Sequence, residues 1–278
     1  MVEAAISGAS PVIRRNNVTV TGQANGPVMM FAHGFGCDQD MWRRLLPYFA
    51  EDYRLVLFDH VGAGRSDMSA YDRQKYGSLH GYAADLLEVC ECLELEDVIL
   101  VAHSVSAMIA VIAANQDTDR FARLILVAPS PRYTDDPTDG YVGGFSREDI
   151  EGLLASLDSN YFAWAAALAP MVMGNPDEPE LADDLRSSFC RTDPAIARHF
   201  AGVTFLSDTR PELPRVRTAT LILQCSDDRL APREVGSYLQ ENLPRSTLVQ
   251  LQALGHCPHV SSPQETAEAI RQYLSYVV

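Results

Sequence analysis

Short apolar runs that alternate with helical patterns constrain the fold of this chain most strongly. The runs DVILVAHS, ARLILVAPS and TATLILQCSDD consist largely of Val, Ile and Leu, and turn residues bound them. Continuous runs of this kind are typical of parallel strands buried on both faces. Between such runs, LHGYAADLLEVCECLEL repeats apolar residues at helical steps of three and four. The alternation predicts an α/β fold with a doubly wound, mostly parallel sheet.

A long interruption divides the sheet pattern. Residues 131–145 are rich in Pro, Gly and Asp, which is typical of a loop. Two helical stretches without intervening strands follow, and the strand pattern resumes at Thr220. We therefore predict a core formed by residues 1–130 and 213–278, with a helical insertion at residues 131–212.

Charge and cysteine usage exclude several classes of function. The net charge of −15, from 22 Lys and Arg against 37 Asp and Glu, argues against nucleic acid or an anionic membrane as a partner. The six cysteines form no CxxC pair, so we expect no metal site, and reduced thiols indicate a cytoplasmic protein. The opening segment MVEAAISGAS lacks a basic region and a long apolar run, which predicts no signal peptide.

Reactive residue types gather where the predicted strands end. The carboxyl ends of the strands in an open α/β sheet form one edge, and ligands bind there. In chain order these ends carry His33, Asp59, His103 with Ser104, Asp227 with Asp228, and His256. The order serine, aspartate, histidine is that of the catalytic triad in α/β hydrolases.

Ser104 lies between a predicted strand and a predicted helix. A serine at such a place is commonly a helix cap or a turn residue. The alternative is a nucleophile that a tight strand-to-helix turn pushes out of the sheet, and the histidine and aspartate at other strand ends favour it. In that case the backbone N–H groups of Val105 and Phe35 would form the oxyanion hole.

The turn around Ser104 departs from the usual G-x-S-x-G pattern. Both glycines are replaced, by Ala102 and by Ser106. Glycine is favoured there because side chains crowd the helix against the strand. Alanine and serine are the next smallest residues, so we expect the turn to survive with some strain or a shifted oxyanion hole.

The carboxylate and the histidine each have a neighbour that competes for the role. We predict Asp228 rather than Asp227 as the acid, because Asp228 stands four residues before Pro232, the spacing usual after this strand. We predict His256 as the base because it follows a glycine directly after a strand. His259 would then support the loop.

Several stretches together resemble one subgroup of the α/β hydrolases. They include FAHGFGCDQDMW, LFDHVGAGRSD, HSVSAMI, NYFAW, LILQCSDDRLAP and GHCPHVSSP, and they spread over residues 14–275. The subgroup is the RsbQ-like family, which holds a bacterial stress-response regulator and the plant karrikin and strigolactone receptors. The resemblance implies an α/β-hydrolase fold with a four-helix lid above a deep apolar pocket, and neither a metal nor an organic cofactor.

The resemblance also implies a set of pocket residues and a kind of partner. Besides Phe35, the matching positions are His103, Tyr133, Phe145, Trp164, Leu168, Thr204, Phe205 and Leu230. Members of the subgroup bind or slowly hydrolyse small apolar esters and lactones such as butenolides. They then signal through a protein partner, which for the bacterial regulator is a PAS-domain phosphatase.

Three functions remain open at this point. The first is a slow serine hydrolase that acts as a sensor or activator in stress signalling. The second is a metabolic esterase or lactonase without a signalling role. The third is a small-molecule receptor in which the triad only holds the ligand.

Overall fold

A computed structural model describes residues 10–276 of the chain. Within this range the chain forms a seven-stranded sheet. The strands are β1 (Thr19–Gly22), β2 (Val28–Ala32), β3 (Arg54–Phe58), β4 (Val98–His103), β5 (Phe121–Val127), β6 (Ala219–Gln224) and β7 (Ser246–Gln250). The opening segment, for which the sequence predicts no signal peptide, lies outside the described residues up to Ala9.

The strand order explains why reactive residues meet at one edge of the sheet. The order is β1-β3-β2-β4-β5-β6-β7. Only the β1–β3 pair is antiparallel, and the other five pairs are parallel. The predicted doubly wound, mostly parallel sheet is therefore confirmed, with β4 at its centre.

The described residues form ten α-helices and four short 3₁₀ helices. The α-helices are α1 (Pro11–Arg15), α2 (Leu79–Cys92), α3 (Val105–Gln116), α4 (Arg147–Ser159), α5 (Tyr161–Met173), α6 (Pro179–Arg191), α7 (Pro194–Phe205), α8 (Arg233–Asn242), α9 (Pro258–Ser261) and α10 (Pro263–Tyr276). The 3₁₀ helices are Gln39–Trp42, Leu46–Tyr48, Met68–Ala70 and Arg210–Arg215. None of the helices in the described range is long and apolar enough to cross a membrane.

Apolar burial on both faces of the sheet positions the reactive edge. All six residues of β4 are buried, as expected for a strand covered on both sides. Helix α3, which follows it directly, buries ten of its residues from Val105 to Ala114. One face of the sheet packs against α2, α3 and α8, and the other packs against α10 and the segment around Trp42.

Helices α4 to α7 lie between β5 and β6, within the predicted insertion. Side-chain caps mark the starts of three of them: Ser146 caps α4 with Asp149, Asn160 caps α5 and Asp193 caps α7. The four helices share a third apolar cluster with residues from the loops at the strand ends. The insertion therefore packs directly on the reactive edge of the sheet.

Candidate active site

Ser104 occupies the corner between β4 and α3. Its backbone has φ 57° and ψ −124°, a conformation that costs a residue with a side chain about 1–3 kcal/mol. The corner is fixed on both sides, because the Ser104 N–H donates to the carbonyl of Val127 and the N–H of Ala107 donates to the carbonyl of Ser104, both at 2.9 Å. Such strain is typical of functional sites, so a plain helix cap is a poor explanation for this serine.

A hydrogen-bonded chain links Ser104 to His256 and Asp228. Nε2 of His256 lies 2.7 Å from Oγ of Ser104, and Nδ1 lies 2.7 Å from Oδ2 of Asp228. All three side chains are buried. Because the carboxylate only accepts, a neutral His256 donates from Nδ1 and accepts the Ser104 proton at Nε2. This is the arrangement in which an imidazole removes a proton from a serine.

The structure separates the two aspartates after β6. Asp228 is buried, and its Oδ1 accepts from the N–H groups of Leu230 at 2.8 Å and Ala231 at 3.2 Å. Asp227 is exposed and holds the loop through its carbonyl, which accepts from the N–H of Gly255. Of the two carboxylates, Asp228 is thus the one that contacts His256.

Two further buried histidines surround the triad histidine. His103 donates from Nε2 to the carbonyl of His256 at 2.8 Å, and its ring centroid lies 4.5 Å from that of His259. Burial lowers the pKa of His259 to about 3, with His256 adding to the effect. Burial also lowers the pKa of His103 well below its ordinary value, with the neighbouring histidines as a second cause. Both rings are therefore neutral, and they support the loop that carries His256.

Phe35 lines the same cavity as Ser104, and Val105 follows Ser104 directly in the chain. Val105 is the first residue of α3, and Phe35 follows β2 in the glycine-bracketed loop. Among the described residues, neither backbone N–H donates to a protein acceptor. The Phe35 ring is anchored by edge or tilted contacts at centroid distances of 5.5–6.2 Å, which involve Trp164, Phe189, Phe200 and Phe205.

An apolar cavity opens above Ser104, beneath the helical insertion. Its lining consists of Phe35, Cys37, His103, Ser104, Tyr133, Leu168, Val172, Leu185, Phe189, Thr204, Phe205, Leu230, His256 and Cys257. The cavity is narrow, with a free volume of about 20 Å³, little more than one water requires. No Asp, Glu, Lys or Arg side chain belongs to this lining.

Two hydroxyl groups lie within the apolar lining. The Tyr133 hydroxyl is 3.4 Å from Oγ of Ser104, and burial raises the pKa of Tyr133 to about 12, so the phenol stays neutral. The hydroxyl of Thr204 is buried without a hydrogen-bond partner in the described part of the chain. A neutral ligand would meet these two hydroxyls beside Ser104 and His256, together with Nδ1 of His103, which has no hydrogen-bond partner among the described residues.

Comparison with known proteins agrees with this geometry. Residues 29–269 match the model of the Alpha/beta hydrolase family. The chain belongs to this family. The α/β-hydrolase fold predicted from the sequence is thereby confirmed, whereas the narrower RsbQ-like assignment stays a prediction.

This hydrolase is similar to named proteins over almost its whole length. It is 36% identical to the Karrikin insensitive 2 receptor IA of Petunia hybrida, covering 93% of this chain and 94% of that protein. It is 35% identical to the Strigolactone esterase D14 of Arabidopsis thaliana, covering 95% and 97%. The solved structure of a hydrolase from Oleispira antarctica superposes with a TM-score of 0.92 at 42% identity, covering 95% and 96%.

Most of the residues that the resemblance implies for the pocket line this hydrolase's cavity, but two lie elsewhere. Trp164 sits one layer behind the lining, stacked on Tyr161 at 5.8 Å and tilted against Phe189 at 5.5 Å. Phe145 is half-buried beside the cluster and forms a β-bridge with Thr134.

Sequence reasoning missed five residues of the lining. They are Cys37, Val172, Leu185, Phe189 and Cys257. Leu185 and Phe189 stand four residues apart on α6, so the helical period was a usable signal for an inward face. The two cysteines adjoin the HGFG and GH motifs, and their places beside Ser104 follow from those motifs.

The hydrolase site also offers no evident place for a metal. Within residues 10–276, no group of three or more His, Cys, Asp or Glu side chains is arranged to hold one.

Proposed function

We propose that this protein is a serine hydrolase that cleaves small, neutral carboxylic esters or lactones. The observation that carries the proposal is the hydrogen-bonded chain from Ser104 through His256 to Asp228 at the wall of an apolar cavity. A serine hydroxyl is a weak nucleophile at neutral pH, and it becomes a strong one when a positioned imidazole removes its proton.

In the proposed reaction, Oγ of Ser104 bonds to the carbonyl carbon while its proton passes to Nε2 of His256. The carbonyl electron pair moves onto oxygen, where the N–H groups of Phe35 and Val105 stabilise the negative charge. The C–O bond to the leaving group then breaks, and His256 returns the proton to the departing alkoxide. Water, deprotonated by His256, attacks the acyl-enzyme and releases the carboxylic acid.

The lining favours neutral ligands over anions. Burying an unpaired charge costs several kcal/mol, and the cavity offers no Lys or Arg to pair with a carboxylate or phosphate. The buried, unpartnered hydroxyl of Thr204 supplies one hydrogen bond to a ring or carbonyl oxygen. The relative named a strigolactone esterase supports an ester or lactone as substrate.

We further propose that hydrolysis serves a sensor function, with a PAS-domain phosphatase as the partner in the cytoplasm. The RsbQ-like sequence stretches, the relative named Karrikin insensitive 2 receptor IA and the nearly closed cavity support this use. Fast turnover of many esters would instead support a metabolic esterase. A Ser104→Ala variant that still activates the phosphatase would support a receptor that needs no catalysis.

Hydrolysis of p-nitrophenyl acetate tests the catalytic part of the proposal. We expect Ser104→Ala and His256→Ala each to lower turnover by at least ~10³-fold, the scale seen when a triad member is lost. Ser237→Ala, which removes an exposed hydroxyl on α8, is the matched control and should leave the rate unchanged. A Ser104→Ala variant within tenfold of the parent would contradict the assignment.

Mass spectrometry of the intact protein tests the substrate class. After exposure to a neutral butenolide, the parent protein should carry an adduct on Ser104 or His256, and the Ser104→Ala variant should carry none. An anionic analogue of the butenolide should leave the parent unmodified. Equal labelling by the anionic analogue would show that the apolar lining does not select the ligand.

A further inference from the structure

Two buried serine hydroxyls hold the loop that carries Phe35, one on each side of this residue. Ser106 donates to the carbonyl of His33, two residues before Phe35. Ser188 donates to the carbonyl of Gly36, one residue after it, at 2.9 Å. Both serine side chains are buried, so neither hydrogen bond competes with bulk water.

The contact from Ser106 belongs to a network within the core. Oγ of Ser106 accepts from Nε2 of His60 at 2.7 Å, and the backbone N–H of His60 donates to Nε2 of His33 at 3.0 Å. His33 in turn donates from Nδ1 to the carbonyl of Gly34 at 2.9 Å. Ser106, which replaces the second glycine of the G-x-S-x-G pattern, therefore connects α3 to the loop. Glycine has no side chain and cannot make this hydrogen bond.

The contact from Ser188 comes from the helical insertion. Ser188 and Phe189 are neighbours on α6, and the Cδ1–Cε1 edge of the Phe189 ring lies against Gly36. A Cβ at Gly36 would come within 2.0 Å of Cδ1 of Phe189, and the backbone there has φ +69°, so only glycine fits. Helix α6 thus touches the loop through a hydrogen bond and through a ring contact.

We propose that Ser106 and Ser188 are positioning residues that fix the Phe35 N–H in the oxyanion hole from opposite sides. This inference rests on the proposed hydrolase function. The hole then depends on three elements: α3 supplies the Val105 N–H, the loop supplies the Phe35 N–H, and α6 determines where the loop lies. A movement of α6 away from the sheet would displace the Phe35 N–H without moving Ser104 or His256.

The test compares Ser106→Gly and Ser188→Ala with Thr220→Val. Thr220 in β6 is equally buried. Its hydroxyl also donates to a backbone carbonyl, that of Thr218, at 3.0 Å. The control therefore loses a buried hydroxyl contact of the same kind. That contact lies near the amino-terminal end of β6, away from the carboxyl ends of the strands where Ser104 lies. Thermal unfolding of each variant first establishes that it is folded. If Ser106→Gly does not fold, Ser188→Ala still tests the proposal.

We expect each positioning variant to lower kcat for p-nitrophenyl acetate by about 10-fold at nearly constant KM. The loss stays below the ~10²–10³-fold cost of removing an oxyanion donor outright, because the N–H is displaced and not deleted. Affinity for a trifluoromethyl ketone, which forms an anionic adduct with the serine, should fall by the same factor. Affinity for the matching methyl ketone and the kcat of Thr220→Val should not change.

Two results would overturn the inference, and they are distinct from failure of the proposed function. A folded Ser188→Ala variant with the parent's kcat would show that α6 does not position the loop. Equal loss of affinity for both ketones would show that the serines shape the cavity and not the oxyanion hole. A parent protein without turnover and without an adduct on Ser104 would overturn the proposed function, and the positioning role with it.

Discussion

Asp227 and Asp228 are adjacent and carry the same side chain, yet the loop after β6 sends them in opposite directions. Asp228 accepts three hydrogen bonds, from His256 and from two backbone N–H groups, whereas Asp227 faces solvent. The comparison of the two therefore isolates the effect of position from the effect of chemistry.

We expect Asp228→Asn to lower turnover by about 10³–10⁴-fold and Asp227→Asn to change it less than threefold. An amide at position 228 can donate to His256 and favours the wrong tautomer, so that Nε2 no longer accepts the Ser104 proton. Steady-state hydrolysis of p-nitrophenyl acetate measures both variants. A larger loss in Asp227→Asn than in Asp228→Asn would mean that the loop has a different register in solution.

At the scale of elements, helix α5 meets the loop that carries His256 with no side chain between them. The N–H of His256 donates to the carbonyl of Val172 at 2.8 Å. A Cβ at Gly255 would lie 1.9 Å from the carbonyl oxygen of Met173, and Gly255 has φ +73°. The backbone of the insertion therefore contacts the backbone of the loop that carries His256 directly.

We expect Gly255→Ala to separate α5 from the loop and to lower kcat by about 10²-fold, since displacements near 1 Å have effects of that size. The matched control is Gly152→Ala on the exposed face of α4, where an added Cβ meets nothing within 4 Å. This control should keep full activity and gain about 0.5–1 kcal/mol of stability from helix propensity. Full activity in Gly255→Ala would show that the close contact between α5 and the loop that carries His256 is not needed for hydrolysis.

The strands and the residues that follow them could be predicted from the sequence, because a run buried on both faces is apolar throughout and ends at a polar residue. Ser104 directly follows such a run, in β4. Asp228 comes four residues after β6, and His256 comes six residues after the partly exposed β7 and not directly after a strand, so loops bring these two side chains to Ser104. The lining contributed by α6 could not be predicted as securely. The helical period indicates which face of α6 is apolar. Whether that face meets the cavity or a neighbouring helix depends on how the four helices pack together, and local sequence does not contain that information.

At the scale of the whole molecule, three buried histidines make stability depend on pH. Burial lowers the pKa of His259 to about 3 and the pKa values of His60 and His103 well below the ordinary value. In the unfolded chain each imidazole titrates near 6.5. Below that pH the unfolded state binds protons that the folded state does not, so the free energy of unfolding falls as pH falls.

We expect the free energy of unfolding to drop by a few kcal/mol between pH 7.5 and pH 5.5, on the order of 1 kcal/mol for each histidine. Urea unfolding at the two pH values measures the difference. His259→Gln should remove about a third of it, while His80→Gln, which replaces an exposed histidine in the first turn of α2, should leave it unchanged. A free energy that is constant or rises toward pH 5.5 would contradict the neutral state of these rings.

The nearly closed cavity above Ser104 has a consequence for the rate at which any ligand arrives. A butenolide is far larger than the space now open, so it enters only when the side chains of the insertion part. The apparent dissociation constant is then the intrinsic one divided by the fraction of molecules that are open. At high ligand concentration, capture is limited by how often the protein opens and not by collision. Selectivity among ligands therefore depends on how tightly each one binds the minor, open conformation.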